Sequence, residues 1–199
     1  MKRYADLDAR EIERLSRNIG PGEWVVEANR PIATLLGSCV AVCIYDTGIP
    51  VAGMNHFMLP NMQKKSLDDD MLLAGDACMT ALLNGVLARG AARHRLKAKA
   101  FGGGAVIDLG PSSGGGIGER NAEFAREWLE RERIPLVSSD FCGPWARKVL
   151  LVPESGDAYC RRITSSLSSQ AALRSEELAY AESLKKSLEQ AQQKNVELF

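Results

Sequence analysis

TLLGSCVAVCIYDTGIPVAGMNHFMLP, the stretch from Thr34 to Pro60, decides how this chain folds. Leu35 to Tyr45 is a nearly continuous run of apolar, β-branched and aromatic residues, the pattern of a strand buried on both faces. Asp46-Thr47-Gly48 has turn chemistry, and Val51 to Phe57 reads as the returning strand. The expectation is a hairpin that sets the Cys39 thiol on one strand against the His56 imidazole on the other. Fold geometry, not local spacing, would make that pair.

Working outward, Asp6 to Asn18 carries a helical pattern (Ile12, Leu15, Ile19 among charges) that stops at Gly20-Pro21-Gly22. This defines an N-terminal arm over residues 1–22, read as peripheral. Glu23 to Ala28 is a short strand, turned by Asn29-Arg30-Pro31 into the Cys39 strand. Beyond His56, Met58 to Asp68 is polar and contains proline, hence a loop, and Ser66 with Asp69 can cap a helix running to about Arg89. Its stripe of Leu72, Leu73, Met79, Leu82, Leu83, Val86 and Leu87 marks a core-packing helix, with Gly90 as a left-handed cap.

Arg95 to Phe101 alternates basic and apolar residues as a half-exposed strand does, and ends in Gly102-Gly103-Gly104. A glycine-rich loop leads to an amphipathic helix over Glu119 to Arg133, followed by strands at Ile134–Ser138, Ala146–Val152 and Ala158–Ile163. Two strand groups, each with a helix, predict an α/β (α+β) domain with mixed sheets over residues 23–163. From Thr164 onward Ser, Gln, Glu and Lys dominate, with a thin stripe of Leu178, Ala181, Leu184, Leu188 and Ala191. Residues 164–199 are therefore read as a helical or disordered tail, whose apolar Val196–Phe199 end is either a solvated helix end or a short docking peptide.

At 199 residues the chain is long enough to bury a core without staples. Its five cysteines are an odd number scattered through apolar segments behind no secretory leader, so a cytoplasmic protein with reduced thiols is expected. Apolar runs are broken before about 18 residues, too soon to span a bilayer. With 25 basic and 25 acidic residues the chain lacks the electrostatic footprint of a nucleic-acid binder. Protein or small-molecule partners remain.

Each candidate residue has an ordinary reading. A free cysteine is more often a small core hydrophobe than a nucleophile, and a histidine in an apolar strand is more often a satisfied core residue. Context favours chemistry here. Gly37-Ser38 before Cys39 permits close backbone approach, and N–H groups around a nucleophile can form an oxyanion hole. As a dyad, His56 would lower the Cys39 pKa from about 8.5 and make thiolate available near neutrality. A zinc set of Cys39, Cys43 and His56 lacks a fourth ligand and any CxxC knuckle. Gly114, Gly116 and Gly118 read as turns rather than a phosphate cradle. Cys43, Cys78, Cys142 and Cys160 pack, and His94 sits among arginines on the surface.

LGSCVAVCIYD, then GMNHFMLP with the histidine 17 positions after the first cysteine (56 − 39), LKAKAFGGGAV, IGERNAEFAREWLERERIPLVSSD and ARKVLLVPESGD resemble the CheD family of chemoreceptor glutamine deamidases, in matching order from about Thr34 to Gly156. The resemblance implies a cysteine hydrolase with a β-sandwich core flanked by helices, a fold shared with cytotoxic necrotizing factor-like toxins, and a mechanism without cofactor or metal. It implies Cys39 as nucleophile and His56 as general base. The family's threonine stands six positions before the cysteine, which is Ala33 here; its neighbour Thr34 would take the place given a bulge or altered register that turns it inward. Ser38, Asn55, Gly102 and Gly103 match motif positions and are expected to line the substrate site. Implied partners are the cytoplasmic regions of methyl-accepting chemotaxis receptors and the CheC phosphatase, the latter giving an alternative role as a chemotaxis adaptor without catalysis.

Overall fold

The computed structural model describes residues 4, 7–59, 68–105, 116–163 and 167–196. A short helix α1 (Ala9–Leu15) opens the chain, with Asp8 and Glu11 forming a reciprocal capping box. Two strands follow, β1 (Arg17–Asn18) and β2 (Trp24–Glu27). Next come β3 (Ile32–Leu36), β4 (Val40–Asp46) and β5 (Ala52–Asn55), then helix α2 (Asp68–Ala88), strand β6 (Leu96–Gly102) and helix α3 (Ile117–Arg131). Strands β7 (Leu136–Phe141), β8 (Ala146–Val152) and β9 (Asp157–Ile163) complete the sheets, and a long helix α4 (Leu167–Val196) ends the chain.

The strands form two mixed sheets, one ordered β1-β3-β8-β9 and the other β2-β5-β4-β6-β7. Between them lies an apolar layer of Ile32, Leu36, Val149 and Leu151 from the first sheet against Ala41, Cys43, Met54 and Phe101 from the second, with Cys39, just before β4, in the same layer. The opposite face of the second sheet is covered by α2 and α3. There Val40, Val42 and Ile44 pack with Met79, Leu82, Val86, Trp128 and Leu129, and the Phe57 and Phe124 rings meet edge to face at 5.6 Å. A sheet sandwich with helices on one side is the predicted α+β architecture. The second sheet is buried on both faces, so β4 reads as an unbroken apolar run (burial complete except at Tyr45).

One expectation needs correction. Leu35 to Tyr45 is not a single strand. The chain leaves the first sheet at Leu36 and enters the second at Val40, so β3 and β4 belong to different sheets and Gly37-Ser38-Cys39 is the crossing between them. Periodicity could not reveal the break, because both strands are buried and both read as continuously apolar. The hairpin itself is present as β4 and β5, with Cys43 opposite Met54 and an isolated bridge from Val40 to Phe57. Continuing that register puts Cys39 and His56 on the same sheet face, toward the layer between the sheets.

Ser66, the expected cap of α2, lies outside the described residues, as do residues 106–115 of the glycine-rich loop and 197–199 at the apolar end. Of the expected stripe on α4, Ala181 packs with Tyr180 against the layer between the sheets and Leu178 is exposed, while the side chains of Leu188 and Ala191 lie outside the described ones; among the described side chains of the helix, Leu173 and Glu177 are the buried ones.

Candidate active site

The crossing segment is clamped from one side. Gly104 N–H donates to the carbonyl of Gly37 at 2.7 Å, Asn121 Nδ2 to that of Ser38 at 2.8 Å, and Gly103 N–H to that of Cys39 at 2.8 Å. With all three carbonyls held on that side, the three N–H groups of residues 37–39 turn the other way. Gly102 and Gly103 thereby act through backbone. Gly102 has φ +118°, and a Cβ on it would stand 2.2 Å from the Cys39 carbonyl oxygen, which only glycine permits.

Cys39 stands at the end of this segment, fully buried, and His56 follows β5 with its backbone tied to the residue 22–23 turn: His56 N–H donates to Glu23 and its carbonyl accepts from Gly22. Thr34, in β3 on the opposite sheet, is buried and its Oγ1 lies 2.8 Å from His56 Nδ1. That oxygen also donates to the Ile19 carbonyl at 2.8 Å. A carbonyl only accepts, so the hydroxyl proton is committed to Ile19, and Thr34 Oγ1 must accept from Nδ1–H. The neutral imidazole therefore carries its lone pair on Nε2, which is buried and has no hydrogen-bond partner among the described residues. The arm read as peripheral thus supplies, through Ile19, the acceptor that sets the tautomer. Thr34 takes this place in an unbroken β3–β8 ladder, without the expected bulge.

A fourth side chain completes the arrangement. Glu177 of α4 is fully buried and its carboxylate accepts from Gly37 N–H (2.9 Å), Ser38 N–H (3.1 Å), Cys39 N–H (3.2 Å) and the Ser38 hydroxyl (2.7 Å). The Cys39 thiol, a nitrogen of His56 and a Glu177 oxygen all lie within 4.8 Å of one another. These are also metal-ligating residue types, but the carboxylate oxygens are already engaged by four N–H and O–H donors, an arrangement suited to negative charge on oxygen. Cys43 of the zinc set considered from sequence is not in this group.

Electrostatics here run against one expectation. The Cys39 thiol is pushed well up, first by burial and then by the charge and hydrogen bond of Glu177, rather than lowered by His56. Burial brings His56 down to about 4, against a smaller opposing pull from Glu177. The pair is neutral in this state, thiol beside imidazole.

Of the residues singled out from sequence, Cys39, His56, Thr34 and Ser38 come together. Asn55 does not join them. Its side chain faces α2, accepting from Val42 N–H at 2.8 Å and donating to Met79 sulfur at 3.2 Å, as strand alternation requires of the neighbour of His56. Sequence reasoning missed Asn121 and Glu177. Asn121 is a buried polar residue on the apolar face of α3, a mismatch visible in the helical pattern. Glu177 stands in a polar stretch where nothing distinguishes it from its neighbours.

A buried thiol, an imidazole with its tautomer fixed by a hydroxyl and a row of backbone donors define the class of cysteine hydrolase-like proteins, whose chemistry runs through a cysteine–histidine pair. The chain belongs to the CheD family: a family model described as "CheD chemotactic sensory transduction" matches residues 58–162. "Probable chemoreceptor glutamine deamidase CheD 2" of Dechloromonas aromatica is 54% identical over 198 residues, 98% of this chain and 99% of that protein. A protein of the same name in Burkholderia thailandensis is 43% identical over 156 residues, 77% of this chain and 79% of the relative. "Probable chemoreceptor glutamine deamidase CheD" of Cupriavidus metallidurans is 38% identical over 202 residues, covering 100% and 89%.

Proposed function

We propose that this chain is a protein-glutamine deamidase that converts glutamines of chemotaxis receptors to glutamate, with Cys39 as nucleophile, His56 as general acid and base, and Thr34 as the residue that positions His56. The observation that carries this reading is the row Thr34–His56–Cys39 beside three converging N–H groups. His56 Nε2 takes the thiol proton as Cys39 sulfur attacks the side-chain amide carbon. Because burial keeps both groups neutral beforehand, proton transfer accompanies attack rather than preceding it. The carbonyl oxygen becomes an oxyanion held by the N–H groups of residues 37–39, with the Ser38 hydroxyl beside them.

The imidazolium then gives its proton to the amide nitrogen, the C–N bond breaks, ammonia leaves and a thioester remains. Nε2 next deprotonates water, whose oxygen attacks the thioester carbon; the C–S bond breaks, the thiolate recovers the proton and glutamate is released. A glutamyl methyl ester enters the same thioester with methanol leaving, which makes ester hydrolysis on the same receptors part of the proposal. Among the described residues no helix is long and apolar enough to cross a membrane.

The test is the intact mass of receptor cytoplasmic fragments incubated with wild-type protein and with Cys39→Ser. Each deamidated site adds about one dalton, an amide exchanged for an acid. A mass gain with the wild type alone is expected. Equal gains with both proteins, or none with either, would refute the thiol mechanism.

A further inference from the structure

The proposed mechanism leaves one buried group without a part: Glu177. It is a charged residue with no exposed surface, and its partners are the donors to which the mechanism assigns the oxyanion. Its identity is informative. Glutamate is the product of glutamine deamidation, differing from the substrate side chain only by oxygen in place of NH₂. Its carboxylate sits where a product carboxylate would sit, beside the thiol.

The approach is built for such a side chain. A Cβ on Gly37 would stand 2.9 Å from both carboxylate oxygens, so the absence of a side chain there makes room for them. Neighbours of Glu177 on the helix pack against the protein as well. Leu173, four residues before Glu177, is buried, while Tyr180 and Ala181, three and four residues after it, pack against the layer between the sheets. Tyr180 covers Gly22, where a Cβ would meet its ring at 2.6 Å. Residues at i−4, i, i+3 and i+4 share one helix face, so among the described side chains of that face α4 presents one carboxylate between Leu173 on one side and Tyr180 and Ala181 on the other.

We propose that α4 is an internal product mimic: it occupies the groove that receives a substrate helix, with Glu177 in the place of the deamidated side chain, and must leave before a receptor helix enters. This rests on the deamidase reading and deepens it in two ways. The substrate is a helix whose glutamine has apolar residues four before it and three or four after it, in the register of Leu173, Tyr180 and Ala181. The resting enzyme is self-blocked, and its apparent affinity for receptor falls by the fraction of molecules in which α4 is displaced. Displacement also removes the carboxylate that helps hold Cys39 protonated.

The test uses the full chain carrying Glu177→Gln, which converts the mimic into a tethered substrate. Cys39 sulfur attacks the introduced amide carbon, ammonia leaves, and water cleaves the thioester to restore a carboxylate. Peptide mapping of position 177 is expected to find glutamate in this variant and unreacted glutamine in Glu177→Gln combined with Cys39→Ser. Receptor fragments are assayed with the same preparation. If they are deamidated while the introduced glutamine persists, the product-mimic inference is overturned and the deamidase reading stands. If neither is deamidated, the deamidase reading falls and takes the inference with it. A second variant, Glu177→Ala, is expected to react with iodoacetamide at Cys39 and to deamidate receptor fragments about tenfold faster than wild type. Rates equal to or below wild type in a folded Glu177→Ala protein would overturn the self-blocking part.

Discussion

Replacing Thr34 by valine keeps the shape of the side chain and removes one oxygen, and that oxygen has two partners. Its loss takes the acceptor from His56 Nδ1–H and the hydroxyl donor from the Ile19 carbonyl, both in a buried place. Each unsatisfied buried group costs about 1–3 kcal/mol, so Thr34→Val is expected to lose ~2–6 kcal/mol of stability. A domain in the middle of the ~5–15 kcal/mol range stays folded after that loss. Activity is expected to fall further, because the proton on His56 is no longer directed to Nδ1 and the lone pair no longer held at Nε2. General acid–base catalysis contributes roughly 10²–10⁴-fold, and loss of the tautomer is expected at the lower end, about 100-fold in kcat with KM little changed. Thr34→Ser retains the hydroxyl and gives up one buried methyl, ~0.8 kcal/mol, and is expected to recover most of the rate. The assay is receptor-fragment deamidation followed by mass, with nitrogen NMR of His56 reporting its tautomer. A folded Thr34→Val working at the wild-type rate, or a Thr34→Ser as slow as Thr34→Val, would refute the positioning role.

Two more outcomes follow from the same site. His56 is held near 4 by burial against an ordinary value near 6.5, so between those values the unfolded chain binds a proton that the folded chain does not. Stability is therefore complete above about pH 6.5 and declines as pH falls toward 4, by up to ~3 kcal/mol. Guanidinium unfolding of wild type and His56→Gln at several pH values checks this, and an equally steep decline in both proteins would assign the effect elsewhere. Gly102→Ala meets both a left-handed φ and the Cys39 carbonyl, and is expected to destabilise by roughly 3 kcal/mol or more, measured as a fall in unfolding midpoint.

Much of this was legible in the sequence, for identifiable reasons. Strand alternation over Leu96–Gly102 and the apolar stripe of α2 are local patterns with one solution each, and they gave the right elements. The thiol and imidazole could be paired because they sit on a hairpin. What escaped were features made by contacts distant in sequence. Glu177 reaches Gly37 across 140 positions, and Asn121 reaches Ser38 across 83. The break at residues 37–39 escaped because two buried strands in different sheets look like one, and Ile19 because its part is played by a backbone carbonyl that no residue type announces.

The crossing at residues 37–39 has a consequence for anyone who tries to harden this protein against heat. Three neighbouring amides with their hydrogens aimed at one point are a liability inside a fold, and the structure answers it with the carboxylate of α4. Selection for a higher melting temperature would favour whatever keeps α4 docked. Selection for turnover would favour whatever frees it. The two searches are expected to enrich opposite substitutions along one helix face, Leu173, Glu177 and Tyr180, so a robust variant and a fast one should be hard to find in the same molecule.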